Sequence, residues 1–202
     1  PLDPESLAHQ ASYLVPTLKH FSNINLENLY AQTDNVYFDL PFSTLAHYPF
    51  SWIIPMLIFA IVLFVILIVH GFKKKRLTGR GVARGFLPFL AALILSPLLT
   101  HFGWQALMSL YPEYSEMLHG FTYNGHTYIA VFVFLTLAIL WISYSKLGGK
   151  QTVPNLMVAP LFFWLIICAA LAVKLQGAAY FVIPVVFSLV SFWICLRQER
   201  PS

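Results

Sequence analysis

The side chains of this 202-residue chain best suited to chemistry gather in one stretch: His101, Glu113, Glu116, His119 and His126. Imidazoles and carboxylates are zinc-ligand types, and Glu116 and His119, three apart, would share one face of a helix. One such pair is a sparse pattern, and histidines and carboxylates in a polar loop are ordinarily solvated, so solvation is the favoured reading. His9, His20 and His47 are read the same way, as structural or exposed groups. The two cysteines, Cys168 and Cys195, are too few and too deep in apolar sequence for a disulfide framework or a zinc cage. No HExxH, GxSxG, CxxC or Walker-type run is present, so no self-contained hydrolase or nucleotide site is signalled. No catalytic, cofactor-binding or metal-binding residue is assigned to this chain.

The elements that must carry these side chains are set by hydropathy. Hydrophobic residues make up 58% of the chain and charged residues 10%, against about 25% charged in a soluble domain. Charges are absent from 40–72, 85–112, 117–145, 151–173 and 175–196. Each window holds the ~20 apolar residues that cross a ~30 Å hydrocarbon core as a helix. An open backbone has no partner in lipid and strand alternation is missing, so helix is the reading. The expected fold is an all-α integral membrane bundle of about five spans, near 51–70, 85–104, 126–145, 154–174 and 178–196. A short extracytoplasmic head with one amphipathic helix precedes it, the domains being 1–49 and 50–202.

Charge orients the spans. The net charge is +4, and six of the twelve basic residues are Lys73, Lys74, Lys75, Arg76, Arg80 and Arg84. A basic cluster against a span marks a cytoplasmic loop and no nucleic-acid partner; an anionic-lipid site is a compatible, secondary reading. The 105–125 loop then falls outside and carries Glu113 and Glu116, while Lys146, Lys150, Arg197 and Arg200 fall inside. Lys174 departs from the pattern and can snorkel to the interface. Trp52, Trp104, Trp141 and Trp193 lie near expected span ends, as interfacial rings do; Trp164 is expected inside the bundle. Span interiors hold no Asp, Glu, Lys or Arg, which argues against proton relays and ion pathways. Pro55, Pro88, Pro97, Pro160 and Pro184 read as packing kinks rather than broken helices at a substrate site. Gly81 and Gly85 have helix-dimer spacing, a weak sign of a homo-oligomer.

In the head, Asp3 is a plausible N-cap with Pro4 at the first helical position. Leu7, Ala11, Leu14, Val15 and Leu18 mark one helical face, and Pro16 should bend or weaken that helix. Val36-Tyr37-Phe38 reads as a strand or an extended lead-in. One helix and one short strand form no core of their own.

The run Leu2-Asp3-Pro4-Glu5-Ser6-Leu7, with His9-Gln10 and Leu18-Lys19-His20-Phe21, resembles the last helix of a family 28 metallopeptidase domain. These are di-zinc, aminopeptidase-like exopeptidases. Asn35-Val36-Tyr37-Phe38, His47-Tyr48-Pro49 and Ser51-Trp52 are similar to the junction in members with a multi-span membrane region. Such members include the vacuolar membrane protease and the endoplasmic-reticulum metallopeptidase. The resemblance covers roughly residues 1–55. It implies that the two zinc ions belong to a peptidase domain ahead of Pro1, since none of the family's ligand motifs is in this chain. Leu7, Leu14 and Leu18 would pack on that domain. The expected location is a bacterial inner membrane, with the amino terminus periplasmic and the carboxy terminus cytoplasmic. The competing expectation is a non-enzymatic protein, a small membrane transporter or a membrane-complex subunit.

Overall fold

The computed structural model describes residues 4–24, 33–40, 44–116, 122, 124–149 and 151–198. The chain divides into two compact units, residues 1–35 and 36–202. The first contains α1 (Pro4–Ser22), which opens on Pro4 and runs on through Pro16. The Thr17 hydroxyl donates to the Tyr13 carbonyl at 2.6 Å across this turn. Asp3, the expected cap, lies outside the described residues. Leu7, Leu14 and Leu18 are 56–60% exposed, and no described residue of α1 is buried.

The second unit holds α2 (Ile53–Lys73), α3 (Gly79–Leu110), α4 (Gly125–Leu147), α5 (Val153–Lys174) and α6 (Val182–Arg197). Short 3-10 segments, Phe50–Trp52 and Gln176–Phe181, lead into α2 and α6. With those lead-ins counted, all five helices are long and apolar enough to cross a membrane, and each expected span falls inside one of the resulting segments, Phe50–Lys73, Gly79–Leu110, Gly125–Leu147, Val153–Lys174 and Gln176–Arg197. The fold is an all-α helical bundle.

Two loop expectations need correction. Arg80 and Arg84 sit on the first turns of α3, and residues 105–110 complete its last turns, so both flanking loops are shorter than hydropathy suggested. At the start of α3 the reason is capping: the Thr78 hydroxyl accepts from the Gly81 N–H at 3.1 Å and starts the helix before the apolar run begins. Hydropathy marks where lipid ends; caps mark where helices end. At 32 residues, α3 is about 48 Å long.

The packing seams have a common period. Buried positions fall at Ile53, Leu57, Ala60, Leu67 and Gly71 on α2, and at Val182, Val185, Leu189, Phe192 and Leu196 on α6. On α5 they include Val158, Leu161, Leu165, Cys168 and Ala172. These three- and four-residue steps are the seam of left-handed helix packing. α2, α5 and α6 share one core; α3 packs on α5, and α4 on α3. The α3 stripe facing α5 is small: Gly81, Gly85, Pro88 and Ala92 are buried. A Cβ on Gly85 would come within 2.4 Å of the Asn155 carbonyl oxygen. The glycine pair that suggested a dimer is therefore used within the chain, to seat α5. α3 and α5 continue unbroken through Pro88, Pro97 and Pro160. Trp164 is also corrected: its ring is 43% exposed, with one contact face stacked 6.0 Å from Phe181. An indole ring is apolar enough to face lipid mid-span.

Ahead of the first span, β1 (Asn35–Leu40) pairs with β2 (Thr44–Pro49). Only three residues separate them, a connection that permits antiparallel pairing alone. Val36 is fully buried in the core that holds Ile53 and Leu57. Phe38 stacks on Tyr180 with ring centroids 5.7 Å apart, so the hairpin is fastened to the α5–α6 turn.

Candidate functional site

The described residue types with chemical capacity meet where α3 ends and α4 begins. A cavity of about 390 Å³ is lined by Thr100, His101, Trp104, Thr122, Gly125, Tyr128, Ile129 and Phe132. α3 supplies the first three side chains at turn spacing, and α4 supplies Tyr128, Ile129 and Phe132. Trp104 sits edge-on to Tyr128 at 6.0 Å and to Phe132 at 6.5 Å. It thus forms a wall of this cavity, close to the end of α3.

A 3-10 segment, Pro112–Glu116, brings Tyr114 over the cavity rim. The Tyr114 and Tyr128 hydroxyls lie 3.0 Å apart, and either can donate. This hydrogen bond, followed by burial, raises the Tyr114 phenol above its ordinary range. Tyr111 packs against Tyr114 at 5.4 Å. Thr122 is 2% exposed, and its hydroxyl has no hydrogen-bond partner among the described residues. The site can hold a small, largely apolar group between aromatic walls, with hydroxyls and one imidazole at the edge.

Of the residues singled out from sequence, His101 lies in the cavity wall, Glu113 and Glu116 are exposed on the 3-10 segment, and His126 is exposed on the first turn of α4. His119, and with it the Glu116–His119 pair, lies outside the described residues. His9 and His20 are on α1 and His47 is exposed on β2. No three His, Cys, Asp or Glu side chains among the described residues converge to hold a metal ion. Sequence reasoning missed the aromatic members, because tyrosine and tryptophan near span ends read as interface anchors. The repeated aromatics Tyr111, Tyr114 and Tyr128 around a helix break were the available signal.

It also missed a buried polar knot at the other end of α3. Asn155 is 4% exposed. Its Oδ1 accepts from the Thr78 N–H at 3.2 Å, and its Nδ2 donates to the Thr152 hydroxyl at 2.8 Å. One asparagine thereby ties the start of α5 to the cap of α3.

No protein family, no curated protein and no solved structure matches this chain. Fold and site together define a class: a helical integral membrane protein whose described residues form five membrane-length apolar helices, an aromatic cavity and no metal-ligand cluster.

Proposed function

We propose that the chain is the membrane domain of an extracytoplasmic zinc-dependent exopeptidase, an anchor and platform for a catalytic domain outside this sequence. The observation that carries this reading is the uncovered apolar face of α1: Leu7, Leu14 and Leu18 are each more than half exposed. Covering three leucines of that exposure is worth about 3–5 kcal/mol, enough to hold a domain in a fixed seat. The resemblance of residues 1–55 to a family 28 metallopeptidase supplies the identity of the occupant. The hairpin supports a platform role, since Val36 and Phe38 fasten it to the bundle.

Among the described residues of this chain, no three ligand side chains converge to hold zinc. No catalytic step is assigned to them. The basic turn after α2 supports an orientation with the segment ahead of α2 outside and the end of α6 in the cytoplasm, by the positive-inside rule. A bacterial inner membrane suits this arrangement, with the peptidase periplasmic.

The test begins with the reading frame upstream of Pro1. A peptidase domain there, with chelator-sensitive aminoacyl hydrolysis by the long protein and none by the 202-residue chain, supports the reading. A start codon adjoining Pro1 sinks it. The second reading is a small transporter or membrane-complex subunit. It is favoured by the cavities of about 390 and 270 Å³ along the α3–α4 seam.

A further inference from the structure

At the end of the bundle away from the tyrosine cavity, a pocket of about 590 Å³ lies between the ends of α2 and α6. His70, Lys74, Lys75, Arg76, Leu196 and Arg197 line it. Two segments far apart in sequence thus aim four permanent cations into one space. Among the described residues, no carboxylate lines the pocket. The sequence has none between Asp39 and Glu113, and only Glu199 after Glu116; Glu199 lies outside the described residues. Each helix carboxy terminus contributes roughly half a negative charge, so two of them leave an excess of about three positive charges.

The turn that presents these lysines is built rather than slack. The Arg76 N–H donates to the Gly71 carbonyl at 2.9 Å and the Lys75 N–H to the Phe72 carbonyl at 3.0 Å. That is the paired closure of a Schellman helix end, in which the left-handed residue is normally glycine. Here it is Lys75, at φ 55°, the one described non-glycine residue with positive φ. Leu77, 2% exposed, clamps the turn from below; a Cβ on Gly71 would sit 2.7 Å from its side chain. Arg197 is held in turn, its guanidinium 4.2 Å above the Trp193 ring. A lysine kept at a position that favours glycine, beside a fixed arginine, directs attention to the charge it delivers.

We propose that this pocket binds a phosphate-bearing anion, supplied by the headgroup of an anionic phospholipid. The apolar wall of Leu196 and the exposed apolar flanks of α2 and α6 leave acyl chains beside the bundle while the headgroup meets Lys74, Lys75, Arg76 and Arg197.

The experiment uses the full chain in a non-ionic detergent, titrated with phosphatidylglycerol, phosphatidylcholine or inorganic phosphate. Binding is followed by native mass spectrometry and by thermal unfolding. Phosphatidylglycerol is expected to bind and raise the melting temperature, with phosphatidylcholine much weaker. Arg76→Gln with Arg197→Gln should weaken phosphatidylglycerol about 30-fold, from the per-charge contribution of basic residues at a membrane surface. Arg80→Gln with Arg84→Gln removes the same charge from α3 outside the pocket and should leave affinity within a few-fold. Lys75→Gly should raise the melting temperature without lipid yet shrink the lipid-induced rise, a signature that misfolding cannot produce. Inorganic phosphate binding alone, with the same dependence on Arg76 and Arg197, would keep the phosphate site and make a soluble phosphate its source. Equal losses in the two arginine pairs, or phosphatidylcholine binding as well as phosphatidylglycerol, would overturn the proposal.

Discussion

The two sides of the bundle are both apolar enough to face lipid, yet they are packed very differently. In the most apolar windows of α5 and α6, 33% of residues are buried, against 11% in α4. Leu189 and Phe192 are fully enclosed where α6 meets α2 and α5, whereas Phe134 and Trp141 on α4 are 70% and 78% exposed. Lipid tails are as apolar as leucine, so water does not drive these helices together; shape does. On the α2–α5–α6 side, apolar side chains at seam spacing close the contact. α4 buries only Gly125, Ile139 and Ser143, and two cavities remain beside it. Tight packing and room for a ligand have been given to different helices.

The sharpest test of this contrast is a matched pair of truncations. Phe192→Ala should cost about 2–3 kcal/mol from the cavity term alone, because an unfolded helix in lipid already keeps the ring from water. Phe134→Ala, of the same chemistry, should change stability by less than about 0.5 kcal/mol. Reversible unfolding in mixed micelles measures both, and similar losses would erase the distinction. Next comes the seam joining the two sides. Gly85→Ala drives a methyl group onto the Asn155 carbonyl and should cost about 1–3 kcal/mol, read in the same assay. Asn155→Ala leaves the Thr78 N–H without its partner, for about 1–3 kcal/mol; its distinguishing readout is faster hydrogen exchange at Thr78 than at mid-helix amides of α3.

The smallest effect belongs to Tyr48, outside the spans. Burial raises this phenol above its ordinary value of 10.0, and its hydroxyl has no hydrogen-bond partner among the described residues. With the folded value raised, the unfolded state loses its proton first. Stability is therefore unaffected below about pH 10 and declines as pH rises from there. Tyr48→Phe should leave neutral-pH stability equal or slightly higher and flatten the alkaline decline, as thermal unfolding at pH 8 and pH 11 would show.

The spans were legible in the sequence because hydropathy alone determines them. Their ends were less so: the early start of α3 follows from a Thr78–Gly81 cap and an Asn155 tie across 77 positions, neither of which leaves a hydropathy trace. Which face turns inward was illegible, since Ile58 facing out and Leu57 facing in are the same to a hydrophobicity scale. Small residues were the usable clue, and Gly81 and Gly85 were indeed visible, though their partner was a helix of the same chain. At the candidate site His101 stood out by type. Trp104, Tyr114 and Tyr128 did not, because aromatic rings at a membrane edge have an ordinary explanation. The strand at Val36-Tyr37-Phe38 was among the readings; its partner, ending in Pro49, gave no alternating pattern.

The length of α3 has a consequence beyond its charged first turns. The uncharged stretch from Gly85 to the helix end would be about 39 Å long, while a bilayer interior is ~30 Å thick. A span longer than its slab must lean, protrude or thicken the bilayer around it, whereas α2 and α5, at 21 and 22 residues, match that thickness closely. Bilayer thickness is thus a quantity to which α3 must respond first among the described helices. The cavity beside Trp104 and Tyr128 lies against the last turns of that same helix, so it sits at the end a longer span carries toward the membrane edge.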